Sequence, residues 1–155
     1  MPHTVRPASA TFESRNPDWE TTVRQSFARQ KVMNLIGGEM GALSPGHCEI
    51  RLPFRDDLTQ QNGYFHAGIT STIVDSAGGY AGLTLMPPGA EVLTVEFKLN
   101  LLAPAAGEFL VAEGQVLKSG RNLVITRGDV YAIRNGKATH CATMQQTLMT
   151  MHGKI

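Results

Sequence analysis

The chain has 155 residues, of which 42% are hydrophobic and 17% charged, so it has the composition of one folded domain rather than of a disordered chain. Its formal net charge of +1 gives no electrostatic basis for binding nucleic acid or an anionic membrane surface. No apolar run reaches the ~18 residues of a membrane span, and residues 1–15 lack the apolar centre of a secretory signal. We therefore expect a cytoplasmic protein with no nucleic-acid or membrane partner.

Two cysteines, Cys48 and Cys141, are too few for a disulfide framework, and no Cys/His spacing typical of a zinc site surrounds them. We interpret both as small buried apolar residues and expect no metal.

The N-terminal part divides into two segments. Residues 1–15 are rich in Pro, Ser, Thr and Arg, which predicts a flexible segment, and residues 16–155 are predicted to form a single domain. Asn16-Pro17-Asp18 is a helix-start signal. Apolar residues at helical spacing follow (Trp19, Val23 and Phe27), so we predict a helix over residues 18–33 that lies on another element.

The middle of the chain predicts a hairpin and a long helix. Residues 47–53 alternate in polarity, as in a half-buried strand, and a Ser-Pro-Gly turn joins them to residues 41–43. The second helix covers residues 67–85 and contains three glycines in its second half, each costing about 1 kcal/mol relative to Ala. We interpret Gly78, Gly79 and Gly82 as places where another backbone comes close.

Four strand-like segments complete the chain, at residues 92–102, 108–118, 122–134 and 137–149. The connector Asn135-Gly136 is the strongest signal for a tight type I′ hairpin. One antiparallel sheet of five to six strands has a face to cover, and the apolar helix is the available element. The fold class is therefore α+β: a curved sheet wrapped around the 67–85 helix, with an extra N-terminal helix.

A carboxylate inside the apolar helix is the main anomaly. Asp75 stands nine residues after His66, and a carboxylate among apolar residues is costly unless it has a partner or a task. Nine helical residues span roughly 13 Å and place the two side chains on opposite faces, so they do not readily meet within one chain. They are either unrelated, a hydrogen-bonded Asp and a helix-capping His, or parts of a site shared between two copies.

The N–H groups of Ala67 and Gly68 lie in the first turn of this helix and lack intrahelical acceptors. Such a helix start attracts negative charge and can hold the oxygen of a carbonyl under attack. Oxyanion donors beside a carboxylate favour acyl transfer or hydrolysis. The sequence has no Gly-x-Ser-x-Gly elbow, and its Gly78-Gly79-x-x-Gly82 run lies within the helix rather than in a phosphate loop.

From about residue 27 to residue 147 the sequence resembles the hotdog-fold acyl-CoA thioesterases of the phenylacetate-degradation (PaaI-like) family. That family has a Gln or Asn, a Gly, then His-Gly-Gly and an acidic residue nine after the His. A hydroxyl residue at a strand start, a Pro and a Gly-basic turn follow. The corresponding residues here are Gln60, Gly63, His66-Ala67-Gly68, Asp75, Thr94, Pro104 and Gly120-Arg121. Ala67 departs from the family's glycine but keeps its backbone N–H.

The resemblance implies a hotdog fold and a site for acyl-CoA between subunits of a homodimer or a dimer of dimers, with no cofactor. Asp75 is the implied general base or nucleophile, and Thr94 holds the attacking water or orients Asp75. Gln60 and His66 position the thioester from the opposite subunit while the Ala67 N–H stabilises the oxyanion. Arg121, with Lys118 nearby, is the implied contact for coenzyme A phosphates.

Two other functions remain open at this point. The alanine in the motif and the glycine-rich helix also fit a non-catalytic protein that binds acyl-CoA or lipid. A hotdog dehydratase acting on 3-hydroxyacyl thioesters uses a His and a carboxylate as well, although the spacing here fits the thioesterase pattern better.

Overall fold

The computed structural model describes residues 11–153. Two N-terminal helices and a six-stranded antiparallel sheet enclose a third, longer helix. In chain order the elements are α1 Trp19–Arg29, α2 Lys31–Ile36, β1 Glu39–Ser44, β2 His47–Pro53, α3 Ala67–Leu83, β3 Ala90–Leu101, β4 Phe109–Ser119, β5 Leu123–Arg134 and β6 Lys137–His152.

The sheet order is β1-β2-β4-β5-β6-β3, with every neighbouring pair antiparallel. Strand β3 follows α3 in the chain but lies at the far edge of the sheet, so α3 crosses the sheet between β2 and β3. The helix contacts β2, β3, β4, β5 and β6. The wrapped helix and the four long strands predicted from the sequence are thus confirmed, with six strands in the sheet.

The tight hairpin between β5 and β6 follows from its two turn residues. Asn135 has φ 51° and Gly136 has φ 73°, and two consecutive positive φ values define the type I′ turn that matches the twist of paired strands. The register runs from Arg134 opposite Lys137 to Leu123 opposite Met149.

The prediction of one continuous helix over residues 18–33 is wrong, because the structure has two helices in this region. The chain leaves helical geometry at Gln30, which has φ −75° and ψ 99°, and α2 then carries the helix on to Ile36. The break lets two short helices bury different side chains, Val23 from α1 and Met33 and Ile36 from α2.

The interpretation of the α3 glycines is also corrected. A Cβ on Gly78 would meet the side chains of Gln146 and Thr126, one on Gly82 would meet Leu148, and one on Gly79 would meet nothing within 4 Å. The close backbone approach occurs instead at Gly114 of β4, where a Cβ would collide with the carbonyl group of Ala77. Backbone thus meets backbone at the sheet glycine, whereas Gly78 and Gly82 of the helix make room for side chains of the sheet.

The predicted flexible segment, residues 1–15, lies partly outside the described residues. Its last five residues belong to the folded part, since Phe12 packs beside Gly46 and the Arg15 Nε donates to the Leu85 carbonyl oxygen at 2.9 Å. The two cysteines are buried and free, as predicted. Within residues 11–153, no helix combines the length and the apolar character needed to cross a membrane.

Candidate active site

Asp75 lies in the middle of α3, on the side that faces β3 and β6. The Thr94 hydroxyl of β3 donates to Asp75 Oδ1 at 2.7 Å, and the Gln146 Nε2 of β6 donates to the same oxygen. The carboxylate therefore has the partners that its place in an apolar helix demands. The contact of Thr94 with Asp75 agrees with the orienting role implied by the resemblance.

Gln146 links Asp75 to a second threonine. Its Nε2 also donates to the Asp75 backbone oxygen at 3.2 Å, and its Oε1 accepts from the Thr126 hydroxyl at 2.8 Å. Gln146 and Thr126 are 1% and 0% exposed. We call Asp75, Thr94, Gln146 and Thr126 the Asp75 cluster; it joins three strands to the helix.

The Asp75 cluster borders a cavity of about 400 Å³. Its walls come from α1, α3 and β3 and include polar groups: Ser26, Gln30, Asp75, Ser76, Tyr80, Glu91 and Thr94. Two of these pairs are hydrogen-bonded, Ser26 Oγ with the Tyr80 hydroxyl at 3.3 Å and Ser76 Oγ with Gln30 Oε1 at 3.2 Å. Within residues 11–153, Asp75 Oδ2 has no hydrogen-bond partner, so this oxygen is available to a molecule in the cavity.

His66 is the N-cap of α3, since its Nδ1 accepts from the Gly68 N–H at 2.8 Å. His66 is therefore a helix-capping residue, which was one of the two interpretations that the sequence left open. A ring nitrogen that accepts carries no proton, so in the neutral imidazole the proton is on Nε2. His66 is exposed, and it presents this Nε2–H outward as a donor.

Capping by His66 also distinguishes the backbone N–H groups of Gly68 and Ala67. The Gly68 N–H is occupied by the His66 ring, whereas the Ala67 N–H has no acceptor among the described residues. Of the two oxyanion donors predicted from the sequence, only Ala67 has a free N–H.

The residues before His66 form a compact turn. Gly63 has φ 81° and its N–H donates to the Gln60 carbonyl oxygen at 3.0 Å. The Gln60 side chain accepts from the Asn62 N–H, and Thr59 bridges Phe65. We call residues 60–68 the His66 loop. With residues 101–105 it borders a cavity of about 470 Å³ that includes Gln60 and Ala67.

The Asp75 cluster and the His66 loop are not brought together in one chain. The cavity at Asp75 and the cavity at Gln60 and Ala67 share no lining residue, as the helical separation of His66 and Asp75 predicts. The sequence-predicted residues therefore form two separate groups, one with the carboxylate and one with the donors.

Strand β3 is an open edge of the sheet beside the Asp75 cluster. It pairs only with β6 and has a β-bulge at Val95, between Thr94 and Glu96. Its exposed apolar side chains are Leu93, Val95, Phe97 and Leu101, at 44%, 56%, 44% and 57% exposure. A long apolar edge strand is a template for pairing with another chain.

The residues predicted to bind coenzyme A lie at the β4–β5 turn. Gly120 donates its N–H to the Leu123 carbonyl oxygen at 2.8 Å, and Arg121 and Lys118 are exposed. Arg121 borders a groove of about 350 Å³ that also contains Arg15. Next to this turn, the Asn122 carbonyl oxygen accepts from the Thr150 N–H at 2.7 Å, and Thr150 in turn pairs with Val92 of β3.

The sequence reasoning missed Gln146 and Thr126. Both stand on inward-facing positions, where most of their neighbours along the strand are apolar, and a buried amide is itself a signal because it needs partners. Within residues 11–153, no group of three or more His, Cys, Asp or Glu residues has the geometry of a metal site.

Comparison with known proteins gives consistent results. The sequence profile of the thioesterase superfamily matches residues 62–139. A crystal structure of a thioesterase family protein from Silicibacter pomeroyi is 47% identical, with a TM-score of 0.86, and the alignment covers 87% of this chain and 99% of that one. Human acyl-coenzyme A thioesterase 13 is 30% identical over 95 residues, which are 61% of this chain and 67% of the relative.

The PaaI protein of the E. coli phenylacetic acid degradation operon shares the fold. Its TM-score is 0.79 at 15% identity, over 92% of this chain and 99% of that one. These neighbours confirm the predicted hotdog arrangement of sheet and helix.

Proposed function

Because the chain belongs to the thioesterase superfamily, we propose that it hydrolyses acyl-coenzyme A thioesters in a site shared between two copies of the chain. Thioester hydrolysis is the general activity of this superfamily. The proposal adds the coenzyme A substrate, the catalytic role of Asp75 and the second copy. The predicted cytoplasmic location remains a prediction.

One observation carries the proposal: Asp75 borders a cavity and, among residues 11–153, has two donors on Oδ1 and none on Oδ2. A carboxylate held in this way can act on a carbonyl or on a water beside it. As general base, Asp75 takes a proton from water while the water oxygen attacks the carbonyl carbon. As nucleophile, it forms an acyl anhydride that water then hydrolyses. In both routes the carbon–sulfur bond breaks and the coenzyme A thiolate leaves with the electron pair, so no strong general acid is needed.

The His66 loop supplies what the Asp75 cluster lacks. The free Ala67 N–H at the start of α3 and the His66 Nε2–H are donors suited to a carbonyl oxygen that gains negative charge. Gln60 borders the same cavity as Ala67. We propose that these three groups hold the thioester oxygen while Asp75 of the other copy acts on the carbonyl carbon.

The open edge at β3 supports the proposal that a second copy of the chain takes part. Pairing β3 with β3 of a two-fold-related chain would satisfy the open edge and bury its apolar side chains. Thr94 lies on this strand and contacts Asp75, so the interface would pass beside the carboxylate. We propose a homodimer that can associate further into a dimer of dimers.

The β4–β5 turn is the proposed contact for the coenzyme A phosphates. Arg121 with Lys118 offers exposed positive charge at this turn, and both side chains suit phosphate groups. Gly63 and Gly120 shape the turns that present the donors and these cations.

The function is tested by a thiol-release assay over phenylacetyl-, benzoyl-, short-chain and medium-chain acyl-CoA. Asp75→Asn keeps the shape of the side chain but removes its charge, and we expect a loss of about a thousandfold in kcat. Asp129→Asn makes the same change outside the site and should keep the wild-type rate. An Asp75→Asn enzyme with wild-type kcat would contradict the assignment.

Other results would favour the alternatives. Tight acyl-CoA binding without thiol release would indicate a binding protein, and water loss from a 3-hydroxyacyl-CoA would indicate a dehydratase. Light scattering tests the dimer: we expect the mass of two or four chains. Val95→Lys places a charge on the edge strand and should give single chains without activity.

A further inference from the structure

We propose that Gln146, fixed by Thr126, is a positioning residue that holds the Asp75 carboxylate in one orientation and leaves Oδ2 as the reacting oxygen. This inference rests on the proposed function, since it assigns a role to residues behind the proposed catalytic carboxylate. Gln146 does not border the Asp75 cavity, so it acts on the reaction through Asp75.

The orientation of the Gln146 amide follows from its neighbours. It faces the backbone carbonyl of Asp75, a group that can only accept a hydrogen bond, so the amide atom on that side is the NH2 group. The oxygen must then face Thr126, whose hydroxyl donates to it at 2.8 Å. The order of donors is therefore fixed: Thr126 to Gln146, and Gln146 to Asp75.

The space for this amide is provided by a glycine. A Cβ on Gly78 of α3 would collide with Gln146 Oε1 and would lie 2.8 Å from the Thr126 hydroxyl oxygen. The Gln146 side chain is 1% exposed, so it has little freedom to move aside. A glycine one turn along from Asp75 thus permits the amide to approach the helix.

The hydrogen bonds distinguish the two carboxylate oxygens. Thr94 and Gln146 both donate to Oδ1, while Gln146 also holds the main chain of the same residue through its bond to the Asp75 carbonyl oxygen. Rotation of the carboxylate would break both bonds to Oδ1. With Oδ1 held, the remaining oxygen, Oδ2, has a defined direction on a residue that borders the cavity, which is the condition for efficient attack or proton transfer.

The experiment compares two opposite changes at Thr126 in the full-length protein. Thr126→Val keeps the volume and branched shape but loses the hydroxyl, whereas Thr126→Ser keeps the hydroxyl and loses a methyl group. We expect Val to lower kcat by about tenfold with an unchanged KM, and Ser to stay within about twofold of wild type. If packing were the role of Thr126, Ser would be the more damaged variant, and that result would overturn the proposal.

Gln146→Met tests the amide itself, because Met has a similar length but cannot donate. We expect kcat to fall by about thirtyfold with KM within about twofold of wild type. An unchanged kcat, or a loss confined to KM, would overturn the inference. If this variant does not fold, the Thr126 pair still decides the question.

Asp75→Asn, measured in the same assay, separates this inference from the proposed function. If Asp75→Asn keeps the wild-type rate, the proposed function fails and the positioning role fails with it. If Asp75→Asn is inactive while Gln146→Met and Thr126→Val are normal, only the positioning role is overturned. Combining Gln146→Met with Asp75→Asn should give no loss beyond that of Asp75→Asn alone.

Discussion

The two halves of the proposed site are built in different ways. The Asp75 cluster draws its residues from α3, β3, β5 and β6, which are far apart in the chain, and two of its four members are fully buried. Most hydrogen bonds of the His66 loop lie within residues 58–68, with one more from Phe65 to the Ala105 carbonyl oxygen, and the buried Phe65 ring is its one anchor in the core among the described residues. One half is set by the whole fold, the other mainly by its own turn.

This difference suits the two tasks. The reacting carboxylate needs a fixed direction, which a buried network gives. The donors must meet a substrate carbonyl that enters from outside, and a turn stabilised by local bonds opens at lower free-energy cost than the core. We expect changes in the Asp75 cluster to affect kcat and stability together, and changes in the His66 loop to affect activity with little loss of stability.

The largest expected effect tests whether the halves come from different copies. Asp75→Asn and His66→Ala homodimers should each be nearly inactive. After the two variants are mixed and their subunits exchanged, half of the dimers carry one intact site, so activity should return to about a quarter of the wild-type value. The measurement is thiol release before and after mixing.

If each site were contained in one chain, mixing the two variants would restore no activity. That result would contradict the shared site. The control is the same mixing protocol with a single variant, which should stay inactive because no intact site can form.

The next effect removes one backbone donor from the His66 loop. Ala67 is the first residue of α3, where proline is tolerated, and His66 has φ −63° and ψ 139°, a conformation that suits the residue before a proline. Ala67→Pro should therefore fold and lose about a hundredfold in kcat, because it lacks the proposed oxyanion donor. Steady-state kinetics with a melting curve checks both parts.

Ala67→Gly is the matched control because it keeps the N–H. If the proline and glycine variants have equal kcat, the oxyanion role of Ala67 is wrong.

A smaller effect concerns the stability of the Asp75 cluster. Gly78→Ala should force the Gln146 amide aside and lower the free energy of unfolding by about 1–2 kcal/mol, since overpacking outweighs the gain in helix propensity. Gly79→Ala, one residue along and open to space, should raise stability by up to about 1 kcal/mol. Urea unfolding of both variants measures the difference, and equal values would refute the packing argument at Gly78.

The smallest effect lies on the outer face of the sheet, away from both halves. Burial raises the pKa of the Asp129 carboxyl, but hydrogen bonds from Arg127, Thr143 and His140 outweigh it and the net pKa is lowered. Because the pKa of Asp129 is lower in the folded state, its ionised carboxylate stabilises the fold at pH values above about 3.9, the pKa of Asp in an unfolded chain. This stabilisation is lost as the pH falls through the pKa of the folded state.

Asp129→Asn should thus cost about 1 kcal/mol or less at pH 7 and less than that near pH 2. Urea unfolding at the two pH values tests this, and an equal cost at both would show that the charge is not responsible.

The sequence was sufficient for the strands and the long helix because their signals are local. Alternation along the strands and turn residues such as Asn135-Gly136 lie within a few residues of the structure they specify. The break at Gln30 was not predicted, because no Gly or Pro marks it and the geometry is decided by what α1 and α2 bury.

The two halves of the proposed site also differ in how far their sequence signals are local. The cap of His66 and the free Ala67 N–H follow from their position at a helix start, so the sequence could suggest them. The contact of Asp75 with Gln146 spans 71 residues and depends on the β6 register and on Gly78. Such a contact has no short-range signal, which is why Gln146 and Thr126 emerged only from the structure.

The buried cysteines have a consequence for a protein that handles activated acyl groups. Burial raises the pKa of the Cys48 thiol to about 12 and that of Cys141 to about 11, so at neutral pH the thiolate of either residue is about one part in ten thousand or less. Only a thiolate exchanges acyl groups with a thioester at a useful rate. Burial thus disfavours the reactive form of both sulfur atoms, including Cys141, which borders the cavity of Gln60 and Ala67, so neither thiol is suited to compete with water for an activated acyl group.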